Sequence, residues 1–408
     1  MLNNAAFTIC AKNYLAQAFT LRESFKKNNL DSEFYIFLSD DLSDINNEEE
    51  KLCLLHDSWI PNWRQMAFKY NVIEFSTSIK PFCFKKLFCE GFEKVIYLDP
   101  DIYVINPLDE IYDYLDEKVI VLSPHYCNIQ TEYTGSITEE EILFVGIYNL
   151  GFTAICNNLI GNKIVDWWMN RLENKCYADK FDALHVDQKW IDFIPAFFPN
   201  DTLITHHLGI NPAIWNLHER ELVISGNGEY KIRCIDSKKI FPLLFFHFSG
   251  FDPFKPTLIN RRHPQYNTDV YPSYIPLFES YINDVYKNGY DRYSKMKYSF
   301  NSFKDGEIII PLQRRLFRVA EMDYVGKDPF DQFVNVLREN KLMTGIKSSS
   351  NSSLFSDSQM FQKSKIEKII IKIFKILKFL IGVNYYSSLI GFLNNFTRLE
   401  KQTFLIRK

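Results

Sequence analysis

The chain lacks most of the signatures that would assign it quickly to a class. Its 408 residues contain no Cys-x-x-Cys pair, and eight cysteines spread over that length fall far short of a secreted disulfide framework. Several, such as Cys10 in F-T-I-C-A and Cys156 in F-T-A-I-C-N, lie within apolar runs, where a buried free thiol is the expected state. The start M-L-N-N-A-A-F-T-I-C has neither a basic n-region nor a long apolar stretch, and no run reaches eighteen uncharged apolar residues. A leader peptide and a spanning helix are therefore not expected, and cytoplasmic residence is. A formal net charge of -3 provides no global basic field, which argues against a nucleic-acid partner. No internal repeat is visible.

What is present is a globular composition, 46% hydrophobic and 24% charged, on a chain longer than one compact domain needs. The 36 Phe and 23 Tyr supply a large core and also suit the apolar C–H faces of sugar rings. Along the first third, strand-like and helix-like patterns alternate. Phe7 to Ala11 is an apolar run. It is followed by Tyr14, Leu15, Ala18, Phe19 and Phe25 at helical spacing, and then by the apolar segment from Phe34. Val72 to Phe75 and Val95 to Leu98 are further strand candidates, with a helical stretch from Lys80 to Phe92 between them. Leu108, Ile111, Tyr112 and Leu115 mark one helical face, and Val119 to Leu122 returns as a strand. This order predicts an α/β fold with a mainly parallel central sheet flanked by helices.

The middle of the chain is less regular. Asn128 to Glu141 reads as a polar loop and the segment from Gly146 as a strand carrying a glycine, while Ile164, Val165, Trp168 and Leu172 form a core-facing helical stripe. From about Tyr290 mixed helical segments take over. The expected division is a catalytic domain over residues 1–289, a helical extension over 290–345, a serine-rich linker over 346–360 and a basic amphipathic tail over 361–408. In that tail Lys365, Lys368, Lys372, Lys375 and Lys378 recur every three or four residues among Ile, Leu and Phe, a pattern suited to an anionic membrane surface.

Chemistry is most concentrated at Leu98-Asp99-Pro100-Asp101. In an open α/β sheet ligands bind beyond the carboxyl ends of the strands, and this segment closes one of them. Two carboxylates separated by one residue suit a hard divalent cation that also bridges phosphate oxygens. A bare Asp-x-Asp is equally a solvated turn.

Its surroundings distinguish the two. K-V-I-Y-L-D-P-D-I-Y-V-I-N-P-L-D-E-I resembles the Asp-x-Asp region of nucleotide-sugar glycosyltransferases of the type-A fold, and is similar to glycosyltransferase family 8. Four further segments resemble that family in the same order. They are F-T-I-C-A-K-N-Y-L-A-Q-A-F-T-L-R-E-S-F, Y-N-L-G-F-T-A-I-C-N, D-Q-K-W-I-D-F-I-P-A-F-F-P-N and H-F-S-G-F-D-P-F-K-P, and the set spans roughly residues 6 to 256.

The resemblance implies a Rossmann-like type-A fold and a metal site of Asp99, Asp101 and His247 for Mn²⁺ or Mg²⁺. It further implies that Thr8, Ala11 and Tyr14 hold the base and that Asp99 also meets the ribose. Lys80, with Lys85 and Lys86 as competitors, would reach the phosphates, beside Gly250 and Lys255. Phe251 to Phe254 spaces Gly250 from Lys255 more widely than the family pattern. Asn149 and Gly151 would border the sugar, and Asp187 and Gln188 would act at the anomeric carbon. Asp187 ahead of Trp190 and Ile191 is also a plausible helix cap.

The implied activity is hexosyl transfer from a nucleotide-diphosphate sugar, UDP-linked by preference, with retained configuration, to a glycan or lipid-linked acceptor at the inner face of the cytoplasmic membrane. A nucleotidyltransferase would need a glycine-rich basic loop after the first strand, and A-K-N-Y-L-A-Q contains none. A non-catalytic sugar-binding scaffold is the other alternative.

Overall fold

The central sheet forms where the apolar runs are short and unbroken. In the computed structural model, which describes residues 4–43, 45–47, 51–226, 228–347 and 363–406, β1 (Asn4–Cys10), β2 (Glu33–Leu38) and β3 (Cys53–Leu54) run parallel. β4 (Lys94–Leu98) joins the other side of β1, again parallel, with Phe7 opposite Tyr97. β5 (Ile102–Val104) leaves the sheet, and β6 (Ile120–Pro124) and β7 (Tyr148–Cys156) extend it. With β10 (Thr202–Ile204) at the far edge, the seven-stranded order is β10-β6-β7-β4-β1-β2-β3. Only β7 runs antiparallel to its neighbours β4 and β6, so the mainly parallel expectation holds with one reversed central strand. All nine residues of β7 are buried, as a strand covered on both faces requires.

Helices cover the sheet. The stripe Ile164, Val165, Trp168 and Leu172 lies on the helix Leu159–Lys175, fully buried, and the Asn158 side chain caps that helix by accepting from the Gly161 N–H at 2.8 Å. Val72 to Phe75, expected as a strand, is instead part of the helix Val72–Ser78. Glu74, Phe75 and Ser78 are its buried residues, a spacing only a helix brings to one face, and short apolar runs do not distinguish the two periods. The loop expected over Asn128 to Glu141 ends early in the helix Glu139–Val145, started by a reciprocal Thr138–Glu141 capping box.

Smaller strands complete the picture. β8 (Ala178–Asp179) pairs with β9 (Leu184–His185), and β11 (Arg220–Ile224), β12 (Tyr230–Cys234) and β13 (Ile240–Pro242) form an antiparallel sheet. β14 (Phe245–His247) pairs antiparallel with β5, which sets His247 opposite Ile102. Among the described residues no disulfide joins any of the eight cysteines.

The chain divides into two compact units, Met1–Trp63 with Val72–Tyr298, and Arg64–Asn71 with Ser299–Lys408. Arg314 gives the reason that residues 64–71 group with the C-terminal part. Its buried guanidinium donates to the carbonyls of Ala67, Phe68 and Tyr70, satisfying the end of the helix Trp63–Lys69. Phe68 lies among Phe303, Phe317, Phe330 and Phe333, with ring centroids 4.9 to 6.0 Å away.

The tail is helical over Lys363–Phe396 with a break at Gly382, whose φ of 76° no helix accommodates. Phe374 and Tyr386, on either side of the break, meet at 6.3 Å between ring centroids. A straight helix would separate them by about 18 Å, so the two segments fold back. Large apolar side chains on them face solvent, Phe379 at 85% and Leu380 at 70% exposure. Among the described residues no helix is long and apolar enough to cross a membrane. The serine-rich stretch from Ser348 to Ser358 lies outside the described residues.

Candidate active site

β4 is buried up to Leu98 and delivers Asp99 and Asp101 beyond its carboxyl end. The Asp99 N–H donates to the Gly151 carbonyl at 2.8 Å, and the Ile102 N–H returns to the Asp99 carbonyl at 3.0 Å, closing a turn around Pro100. The chain then enters β5, whose antiparallel partner β14 brings His247 alongside; the Phe248 N–H donates to the Asp101 carbonyl at 2.8 Å. His247 Nε2 comes to lie 3.2 Å from Asp101 Oδ1 and 3.7 Å from Asp99 Oδ2. One ligand atom from each of the three residues lies within 4.8 Å of the others.

Two carboxylates and one neutral imidazole carry a charge of about -2, the complement of a divalent cation, and this donor set could hold one. Both carboxylates keep part of their surface open to solvent, whereas His247 is only 3% exposed. Burial pulls the His247 imidazole down, but Asp101 and Asp99 push it up further, leaving it raised above its ordinary value. Burial raises the Asp99 carboxyl, with Lys80 and His247 opposing incompletely. Gly151 makes room for this arrangement. A Cβ there would lie 2.3 Å from His247 Cε1, so the glycine expected to clear space for a sugar clears space for the imidazole.

Lys80 and Asp187 form a second buried cluster. Lys80 is 1% exposed; its Nζ lies 2.5 Å from Asp187 Oδ2, donates to the Leu150 carbonyl at 2.8 Å and stands over the Tyr97 ring at 4.0 Å. The Tyr97 hydroxyl donates to Asp99 Oδ1 at 2.5 Å, so the two clusters join through one tyrosine. Burial raises Asp187 above its usual range and Lys80 opposes it. Asp187 precedes the short helix Gln188–Ile191 without capping it by its side chain; its partner is the lysine. Lys85 and Lys86 pair with Asp166 and Glu90.

Gln188 braces β7, donating to the Val145 carbonyl at 2.9 Å and accepting from the Leu150 N–H at 3.0 Å. Asn149 Oδ1 accepts from the Gly151 N–H at 3.1 Å and from Asn211 Nδ2 at 3.0 Å. Both amides are thus committed to neighbours within the protein.

After β1 the chain makes a 3-10 turn over Lys12–Tyr14, anchored by the Lys12 ammonium on Asp41 at 2.8 Å. Thr8 is fully buried with no partner for its Oγ1 among the described residues, Ala11 is buried ahead of the turn, and Tyr14 is partly exposed. Burial raises the Tyr14 phenol, and the charges of Asp101, Arg261, Arg262 and Asp99 act on it, so it borders the carboxylates.

Gly250 has φ 68°, and a Cβ there would lie 2.7 Å from Asn260 Nδ2. The Gly250 carbonyl accepts from the Arg261 N–H at 3.1 Å, which ties the Ser249-Gly250 loop to exposed Arg261 and Arg262. Lys255 is an exposed residue in a turn, its N–H donating to the Asp252 carbonyl at 2.8 Å.

The sequence reading missed Arg261, Arg262, Asn211 and His125. The Arg pair in I-N-R-R-H was visible as a local basic cluster; the other two had no local signal.

No family model matches the chain. It is 24% identical over 282 residues to the uncharacterised protein YfnF of Bacillus subtilis (strain 168), across 66% of this chain and 88% of that one. Among solved structures it is similar to the galactosyltransferase LgtC in complex with donor and acceptor sugar analogues. That likeness has 15% identity, a TM-score of 0.42, and covers 68% of this chain and 95% of LgtC. It is also similar to mouse xyloside xylosyltransferase 1, at 12% identity and a TM-score of 0.37, covering 60% of this chain and 98% of the enzyme. The glycosyltransferase GlyE of Streptococcus pneumoniae TIGR4 is matched at 15% identity and a TM-score of 0.34, covering 78% of this chain and 73% of GlyE. These structural neighbours are glycosyltransferases.

Proposed function

We propose that the protein is a metal-dependent glycosyltransferase that moves a hexosyl group from a nucleotide-diphosphate sugar, UDP-linked by preference, to a hydroxyl of a glycan or lipid-linked glycan. The observation that carries this reading is the convergence of Asp99, Asp101 and His247 beyond the carboxyl end of β4, where open α/β sheets bind ligands. Mn²⁺ or Mg²⁺ held by these three residues would neutralise charge on the departing diphosphate.

The remaining roles fall to the protein's own groups. Tyr14, with Thr8 and Ala11 behind it, would border the base and ribose at the mouth of the β1 loop. Arg261 and Arg262, exposed beside the Gly250 backbone, would share with Lys255 the neutralisation of phosphate charge. Asp187 would offer negative charge near the anomeric carbon, with Lys80 holding its carboxylate in place. Gln188, Asn149 and Gly151 would hold β7 and His247 in register behind the sugar. Retention of configuration is part of the proposal, by analogy with family 8.

We further propose that the tail docks on an anionic membrane face, bringing the catalytic unit to lipid-linked acceptors at the inner side of the cytoplasmic membrane. Its support is the helix Lys363–Phe396, whose exposed Phe379 and Leu380 accompany exposed Lys368, Lys372, Lys375 and Lys378.

The test is a donor screen with Mn²⁺, read out by released nucleotide. Turnover of one nucleotide sugar, lost on chelation, supports the reading. Purified protein that neither binds UDP with Mn²⁺ nor turns over any nucleotide sugar refutes it and leaves the scaffold reading. Pyrophosphate release from a nucleoside triphosphate would make it a nucleotidyltransferase.

A further inference from the structure

We infer that Asn211, Asn149 and His125 form a directional hydrogen-bond relay that fixes His247 as the Nδ1–H tautomer and leaves its Nε2 lone pair for a cation held with the Asp99 and Asp101 carboxylates. The inference rests on the metal-site reading above and names the residues that orient one of its ligands.

The direction of the relay follows from two backbone groups that can play only one role each. The Gly151 N–H is a donor, and it reaches Asn149 at 3.1 Å, so the atom it meets is the amide oxygen. That oxygen also faces Asn211 at 3.0 Å, which must therefore present Nδ2 and keep its own Oδ1 for His247. Asn211 Oδ1 lies 3.1 Å from His247 Nδ1, and only a protonated Nδ1 satisfies it. In the other direction, Asn149 Nδ2 lies 3.4 Å from His125 Nε2, which accepts, leaving the proton on His125 Nδ1. The Ile147 carbonyl, an obligate acceptor, lies 3.1 Å from that nitrogen and closes the chain consistently. Turning the Asn211 amide over would set its oxygen against the Asn149 oxygen and its NH₂ against His247 Nδ1. The first contact is repulsive in a buried site, and only that turned amide could serve an unprotonated Nδ1.

Packing holds the relay rigid. Asn211 is fully buried and adopts φ 57°, a left-handed conformation that asparagine tolerates better than most side chains. Asn216 Nδ2 donates both to the Asn211 carbonyl at 3.1 Å and to the His125 carbonyl at 3.0 Å. The Trp215 ring meets the His125 ring at 5.5 Å and the His247 ring at 5.1 Å, both edge to face. The His247 N–H donates to the Pro212 carbonyl at 2.9 Å, so the segment carrying Asn211 also carries the backbone partner of the ligand. A histidine ligand whose second nitrogen is held in this way keeps the lone pair on the ligating atom and its ring orientation. Asn211 is a positioning residue, and Asn149 and His125 orient it.

The tautomer is read directly by ¹⁵N NMR of histidine-labelled, metal-free full-length protein, with the two rings assigned from His247→Gln and His125→Gln spectra. On raising the pH, Nε2 of His247 is expected to lose its proton while Nδ1 keeps its own; an Nε2–H tautomer overturns the inference whatever the activity. Mn²⁺ affinity, followed by the EPR signal of the free ion, gives the second reading. Asn211→Leu is expected to weaken binding 10- to 100-fold, and Asn211→Asp, which restores the acceptor for Nδ1–H, to recover most of it. Wild-type affinity in Asn211→Leu refutes the relay. Wild-type protein that binds no Mn²⁺ refutes the metal reading instead, and the NMR measurement then still decides the tautomer.

Discussion

Lys80 and Asp187, 107 positions apart, form an ion pair at 2.5 Å with both side chains withdrawn from solvent, and the same lysine stands over the ring of Tyr97, whose hydroxyl reaches Asp99. Lys80, one of three lysines that the family resemblance offered for phosphate, is paired inside the protein. Removing either partner leaves the other buried and uncompensated, so Lys80→Met and Asp187→Asn should each destabilise the fold by about 3–5 kcal/mol. Urea unfolding of both single variants and the double variant checks this; an additive double variant would mean that the two side chains do not interact.

Asp99 should behave in the opposite way. Its carboxyl is raised in the folded state, so the charged form costs stability once the pH passes the ordinary value of 3.8, and the penalty persists at neutral pH. Asp99→Asn is therefore expected to raise the thermal midpoint of the metal-free protein at pH 7 while weakening Mn²⁺ binding. A lower midpoint would mean that the carboxylate stabilises the fold without a metal.

His125 links stability to pH. Burial holds its imidazole down to about 4, against an ordinary 6.5, with the Ile147 carbonyl opposing in part. Between those two values the unfolded chain binds a proton that the folded protein refuses, so stability falls as pH falls across that window, by an amount on the order of 3 kcal/mol. His125→Gln should flatten the stability profile from pH 6.5 to 4 relative to wild type, as read by urea midpoints.

Arg261 and Arg262 test the phosphate assignment. Arg261→Ala and Arg262→Ala, being exposed, should leave the melting midpoint within about 1 °C, since such surface changes stay near ±0.5 kcal/mol. Each should raise KM for the nucleotide sugar about tenfold, the effect of losing one charge-assisted contact of about 1.5 kcal/mol. Unchanged KM in both variants would return the role to Lys255.

The tail can be removed without touching the site residues. Deleting the residues after Ser358 is expected to move the protein from the membrane fraction to the soluble fraction, since each lysine at an anionic surface contributes about 1 kcal/mol. Continued membrane association would sink the docking proposal.

Much of the fold was legible locally. The apolar runs at Phe7 and Val95 and the stripe through Trp168 encode their own strand or helix, because side-chain period and backbone geometry are one relation. Asp99 and Asp101 were legible as a strand-end pair for the same reason. Val72 to Phe75 failed where a run too short to show its period was decided by the burial of Glu74 and Ser78.

By itself, then, the sequence determined the order of elements, the Asp-x-Asp turn and the lysine-bearing tail. Only the tertiary structure decided what each polar group meets. Antiparallel pairing of β5 with β14 brings His247 to Asp101, and burial commits Lys80 to Asp187 and Asn149 to Asn211. A side chain's hydrogen-bonding capacity is written in its chemistry, but what satisfies that capacity depends on which distant groups share its dry space. That is set by packing, which has no local period to read.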